Sequence, residues 1–183
     1  MTGGTELEAE SAGEAKQREL EERFILHWGE MASQWGINRT MGQIHALLYV
    51  RPEPLSAEEI MERLQISRGN ASMNLRNLED WGIIQRVHVR GDRREYFKTT
   101  KDVWELMRMI VRERKRREFD PTLRSLREFL ADADDDPALS EYRERLSNLL
   151  SMLELLQGAF DRLLPADPGT LPKLLEVQVE GLD

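Results

Sequence analysis

The stretch SRGNASMNLRNLEDW, from Ser67 to Trp81, decides how the rest of the chain is read. Ala71, Leu75 and Leu78 fall at i, i+4 and i+7, the spacing of one buried stripe on a helix. Gly69, Ser72, Met73, Arg76 and Asp80 fall on the other side of the wheel. Ser67 is placed to cap the first turn, because its hydroxyl can accept from a backbone N–H that has no partner within the helix. Gly82 follows the last periodic residue and suits the left-handed stop of a helix C-terminus. The start of this helix gathers free N–H groups, the positive end of a dipole, Arg68, Asn70 and Ser72. Phosphates and base edges bind to that combination. Taken alone, the stretch reads first as an ordinary amphipathic surface helix. Its neighbours reverse that order.

Upstream, Thr40 and Gln43 spell a capping box. It opens a short helix through about Tyr49, with Met41, Ile44, Leu47 and Leu48 inward. Pro52 and Pro54 end it, and PLS places Leu55 in a strand-like connection. Ser56 and Glu59 spell a second capping box, and the helix from Ala57 to Leu64 carries Ile60, Met61 and Leu64. Gln65, Ile66 and Ser67 form a brief turn. Two short helices joined this way, the second polar and cationic at its start, spell a helix-turn-helix. After Gly82 the period falls to that of a strand. Gln85, Val87 and Val89 alternate with Ile84, Arg86, His88 and Arg90, and Glu95, Phe97 and Thr99 alternate with Tyr96 and Lys98. Between them RGDR, residues 90–93, supplies Gly and Asp for a tight turn. The expected hairpin is a wing with Arg90, Arg93 and Arg94 at its tip, suited to a minor groove or a phosphate backbone.

The flanks are helical in pattern. Residues 1–12 are small, polar and acidic, and disorder is expected there. From about Glu14 to Trp35, Leu20, Phe24, Trp28, Met31 and Trp35 form a stripe. It serves core packing, a dimer seam or a small-molecule site. Thr99 or Thr100, with Asp102 behind, caps a helix that faces inward with Val103, Leu106, Met107 and Ile110, with Trp104 nearby. The run RERKRRE, residues 112–118, is a solvated face, a phosphate contact or a partner for the acidic segments that follow. Asp120–Pro121 reads as an N-cap with proline at the first helical position, so a fresh helix is expected there. ADADDDP, residues 131–137, is an acidic loop without the liganding spacing of a calcium loop, and no metal site is expected. From about Leu139 to Leu164, the residues Tyr142, Leu146, Leu149, Leu153, Leu156, Phe160 and Leu163 form a heptad seam. Such a seam packs on the N-terminal helix, on a second copy, or on both. Pro165 ends it, and the tail over 165–183 carries leucines that could cover a groove.

Composition narrows the function classes. The chain has 183 residues, 33% charged and 40% hydrophobic, with no cysteine. Disulfides and thiolate metal sites are therefore absent. No apolar run is long enough to span a membrane, no signal-peptide pattern occurs, and a cytoplasmic location is expected. No HExxH, P-loop or GxGxxG string is present, and His27, His45 and His88 are scattered, so no enzyme and no cofactor are expected. Net charge is −8, yet residues 66–101 hold eight basic against four acidic residues, a surplus of +4 that leaves −12 on the remainder. A local cationic patch can still grip phosphates, because exposed charges more than ~10 Å apart are largely screened. The competing reading is a winged-helix protein-interaction module, in which the same arginines hold an acidic partner.

The order of helices, helix-turn-helix, hairpin and long helices resembles the MarR-type winged helix-turn-helix transcriptional regulators. The strings SRGNASMNLRNLEDWGIIQRV, residues 67–87, and RERKRREFDPTL, residues 112–123, resemble the branch of the glycine-betaine-synthesis (GbsR-like) regulators. The likeness spans about residues 14–164. It implies a fold that is mainly α with a small β wing, and a homodimer on double-stranded DNA with a pseudo-palindromic operator. It carries groove contacts onto Ser67, Arg68, Asn70, Ser72, Asn74 and Arg76, and wing contacts onto Arg90, Arg93 and Arg94. It also implies a small-molecule effector of the quaternary ammonium type, for which Trp28, Trp35, Trp81 and Trp104 could supply an aromatic cage. The expected organisation is a disordered 1–12, an N-terminal dimerisation helix over 13–35, a winged helix-turn-helix over 36–101, a C-terminal helical dimerisation region over 102–164 and a tail over 165–183.

Overall fold

A computed structural model describes the backbone of residues 3–133 and 136–166, and side chains from residue 13 onward. It contains two units, Met1–Leu106 and Met107–Asp183. The first begins with α1 (Gly3–Gln34) and α2 (Arg39–Val50). Helix α1 starts earlier than expected: residues 3–12 are helical. That stretch is rich in Glu and Ala, which are good helix formers, so helical propensity outweighs its polarity. The two helices cross at small residues. A Cβ on Gly42 would lie 2.5 Å from the Cβ of Ala32, and one on Gly29 would lie 2.6 Å from Cγ of Gln43. The buried line of α1 is therefore Ile25, Gly29 and Ala32. Of the expected stripe, Phe24, Trp28 and Met31 border that line half-buried, while Leu20 and Trp35 stay exposed.

Helix α2 starts at a different cap from the expected one. Asn38, not Thr40, accepts from the backbone N–H groups of Thr40 and Met41, at 2.9 and 3.2 Å. The rest of the first unit follows in order: β1 (Leu55–Ser56), α3 (Ala57–Leu64), α4 (Arg68–Asp80), β2 (Ile84–Val87) and β3 (Tyr96–Thr99). The box at α3 forms as expected, with Ser56 N–H and Oγ donating to Glu59 and Glu59 N–H donating back. Hydrogen bonding from Ser56 holds the Glu59 carboxyl below its ordinary range. The strands make an antiparallel sheet in the order β1-β3-β2, with Leu55 opposite Phe97 and Val87 opposite Tyr96. Ile44, Leu47, Leu48, Ile60 and Leu78 fill the space between helices and sheet, each at most 2% exposed. Burying a side chain of that size contributes about 1.5–3 kcal/mol.

Two polar groups complete this unit. Lys101 Nζ donates to the carbonyls of Leu48, Tyr49 and Arg51, at 2.7, 2.6 and 2.6 Å, and so satisfies the open end of α2. His45 is buried between Trp28 and Tyr49, and its Nδ1 accepts from the Trp28 indole N–H at 3.2 Å. Burial, then the nearby Lys101 charge, lowers its pKa to about 4.

The boundary between units falls within α5 (Val103–Arg114). Asp102 caps it, accepting from the N–H groups of Trp104 and Glu105. The expected fresh start at Pro121 is replaced by a π-helical turn, Lys115–Phe119, that runs directly into α6 (Asp120–Asp132). A proline lacks the N–H and crowds the carbonyl four residues back. The wider turn absorbs both, with Asp120 N–H reaching back to Lys115 O. After a 3-10 turn at Pro137–Leu139, α7 (Ser140–Leu163) packs on α6. Phe160 meets Phe119 edge-on at 5.4 Å, and Arg127 pairs with Glu154 at 2.7 Å. The heptad seam divides here. Leu146, Leu153 and Phe160 are half-buried, while Tyr142, Leu149, Leu156 and Leu163 are exposed. Most of the tail over 165–183 lies outside the described residues.

Candidate nucleic-acid interface

The geometry of α4 follows from its cap and its buried stripe. Ser67 Oγ accepts from Asn70 N–H at 3.3 Å, and Trp81 with Gly82, at φ 71°, ends the helix. Ala71, Leu75 and Leu78 are buried as expected. Gln65, at φ 52°, makes the left-handed turn that aims α4 away from α3. The helix thus turns Arg68, Gly69, Ser72, Met73 and Arg76 to the outside. Neither Arg68 nor Arg76 has an ion-pair partner among the described residues.

The two asparagines of the expected contact set are differently placed. Asn74 is fully buried, and its amide donates to Asn70 O at 2.9 Å and to Asn70 Oδ1 at 2.6 Å. It cannot reach a groove, and its expected DNA contact is corrected to a packing role. The stripe at 71, 75 and 78 includes 74 on its flank, so a residue there is drawn inward whatever its polarity. Asn70 is half-buried and donates to Thr40 Oγ at 3.4 Å, tying α4 to the start of α2. The sequence marks Thr40 as a helix cap, not as a partner of Asn70.

On the wing, Asp92 N–H donates to Val89 O at 3.1 Å, so the turn is VRGD at 89–92 rather than RGDR. Gly91 supplies the φ of 87° that the turn needs. Arg94 is not a free cation. It pairs with Asp92 at 2.6 Å, sits 5.2 Å from the Tyr96 ring centre, and shares Asp92 with the Tyr96 hydroxyl, which donates at 2.8 Å. Hydrogen bonding from Arg94 holds the Asp92 carboxyl well below the usual range. The expected wing contact of Arg94 becomes a brace that shapes the loop. The signal available in the sequence was the spacing D-x-R-x-Y. Arg90 and Arg93 are exposed and have no ion-pair partner among the described residues.

The charge surplus of residues 66–101 is redistributed by these contacts. Arg86 donates to both oxygens of Glu79, at 3.0 and 2.9 Å, and pairs with Glu95. Lys101 is taken up by α2. Exposed cations then remain at Arg68, Arg76, Arg90, Arg93 and Lys98. The groove of about 410 Å³ between α3, α4 and the sheet is edged by Glu58, Glu79 and Glu95. Arg68, Arg76 and Arg86 line the same groove, so its carboxylates are matched by as many guanidinium groups. The basic run over 112–118 is used within the second unit. Glu113, buried, holds Arg116 and Arg117, and Lys115 reaches Asp120 and Asp161 at 3.0 and 3.5 Å.

The four tryptophans are placed on separate elements. Trp28 packs against Phe24 and His45, which is core packing, with its N–H engaged. Trp35 follows the end of α1 and Trp104 opens α5, both about half exposed. Trp81 caps α4. Among the described residues, no cluster of acidic or histidine side chains could hold a metal ion, and no helix is long and apolar enough to cross a membrane.

Residues 35–95, which contain α2 through the wing turn, match the model of the MarR family. The HTH-type transcriptional repressor GbsR of Bacillus subtilis is 25% identical over 138 residues, 73% of this chain and 76% of that protein. The HTH-type transcriptional regulator MmpR5 of Mycobacterium tuberculosis is 37% identical over 76 residues, 41% of this chain and 46% of that protein. A crystal structure of a transcriptional regulator is similar at a TM-score of 0.63 and 25% sequence identity, covering 79% of this chain and 95% of that one.

Proposed function

We propose that this chain, whose residues 35–95 match the model of the MarR family, is a sequence-specific, DNA-binding transcriptional regulator that acts in the cytoplasm as a homodimer on a pseudo-palindromic operator. The observation that carries this reading is the outer face of α4, where Arg68, Ser72 and Arg76 stand exposed along a helix capped by Ser67, with Arg90 and Arg93 exposed on the wing that follows. One α4 from each subunit enters a major groove, and the two lie one helical turn apart, ~34 Å. Arg76 or Arg68 reads a guanine edge, and Arg90 and Arg93 hold the backbone. The exposed column Tyr142, Leu149, Leu156 and Leu163 supports a two-fold seam. Control by a small organic effector follows if the ligand favours one separation of the half-sites. The likeness to GbsR supports placing the chain in that branch.

The test is recovery of genomic fragments bound by the protein, followed by binding to the best fragment at two salt concentrations. The expected outcome is a palindrome-like site, with Arg76→Ala costing ~1–3 kcal/mol at one base position. Equal affinity for every duplex would overturn the reading and favour an acidic protein partner for the wing.

A further inference from the structure

Two residues at the centre of the outer face of α4 are not required by the fold. Gly69 has a helical backbone, and a Cβ added there would meet nothing within 4 Å. Alanine would fit and would make the more stable helix. Met73 is 52% exposed, leaving much of an apolar residue in water. At about 100° of rotation per residue, Gly69, Met73 and Arg76 cluster opposite the buried Ala71, Asn74, Leu75 and Leu78. Gly69 and Met73 are four residues apart, hence adjacent along the surface. The missing side chain leaves a depression beside an apolar one. On the major-groove edges of the four base pairs, the 5-methyl of thymine is the apolar group on display.

We propose that Gly69 and Met73 form an apolar notch that receives a thymine 5-methyl group, which makes Met73 a specificity-determining residue. This rests on α4 being the groove-entering helix. The missing Cβ lets the duplex approach closely, Met73 covers the methyl, and Arg76, three residues on, contacts the neighbouring base or phosphate.

The experiment uses the full chain and its best operator, with each thymine of one half-site replaced in turn by uracil, which removes the methyl alone. The expected result is one position at which the wild type loses about fourfold in affinity, the worth of one buried methyl. Met73→Leu keeps that penalty, and Met73→Ala abolishes it. Gly69→Ala weakens the thymine duplex more than the uracil duplex. Both residues are exposed, so thermal melts no lower than that of the wild type show that the fold is intact. Wild type indifferent to every replacement, or Met73→Ala with an undiminished penalty, overturns the notch alone. Absence of any preferred operator overturns the function reading and the notch with it.

Discussion

The helix-turn-helix core and α7 are both written with leucine and other apolar residues at helical spacing, yet they end differently. In the first, Ile44, Leu47, Ile60 and Leu78 are at most 2% exposed. In the second, no residue of a 24-residue helix is buried. Apolar periodicity specifies a face, and the chain must still supply a wall for it. Helix α2 finds α1, α4 and the sheet. Helix α7 packs on α6, with Phe160 against Phe119 and with Leu146 and Leu153 half-buried, and the column seven residues apart at Tyr142, Leu149, Leu156 and Leu163 is left facing water.

The largest test of that contrast is the double substitution Leu149→Glu with Leu156→Glu. If a second copy supplies the missing wall, sedimentation should show a dimer converted to a monomer at micromolar concentration, with helical content retained. A variant that stays dimeric would place the seam elsewhere. Next, the same chemical change should have unequal effects in the two regions. Leu78→Ala should cost about 3 kcal/mol in urea unfolding, as a buried leucine does. Leu155→Ala, at a position 70% exposed, should stay within about 0.5 kcal/mol. Equal losses would show that Leu155 of α7 has a wall of its own.

A pH titration addresses the core alone. His45 binds a proton near 6.5 when unfolded and near 4 when folded, so the unfolded state holds more protons between those values. Stability should be full above pH 6.5 and fall by about 3 kcal/mol as pH drops to 4. His45→Gln should flatten that slope. The smallest effect belongs to the wing. Arg93→Ala should weaken binding to all duplexes and lower the salt slope by about one. Arg94→Ala should act through the loop, loosening the turn that Asp92 and Tyr96 hold, which amide exchange at residues 89–94 would register.

Features written in adjacent residues were legible in the sequence. The Ser56–Glu59 box, the Ser67 cap, the Gly82 stop and the alternation into β3 depend on neighbours along the chain. Features that depend on distant partners were not. Lys101 counts toward the cationic surplus of residues 66–101 until α2 presents three carbonyls to it. Arg86 does so until Glu79 and Glu95 reach it. Asn38 and Thr40 are rival caps two residues apart, and only the turn after α1 decides between them. Asn74 has the side chain of a base reader, but the stripe around it is drawn to the core. The outer arginines of α4 needed no such arbitration, because Arg68 and Arg76 form no ion pair among the described residues.

The widened turn at Lys115–Phe119 indexes the helices around it. One additional residue in a turn advances the angular phase of everything after it by about 100°. Leu123 and Leu126 therefore face inward on a setting that an uninterrupted helix from α5 would not give them. Pro121 acts as a pawl, since closing the turn to regular pitch would drive its ring into the carbonyl of Arg117. Deleting a single residue between 115 and 119 would rotate α6 off its inner contacts, whereas the same deletion in the loop at 88–95 would only shorten the wing.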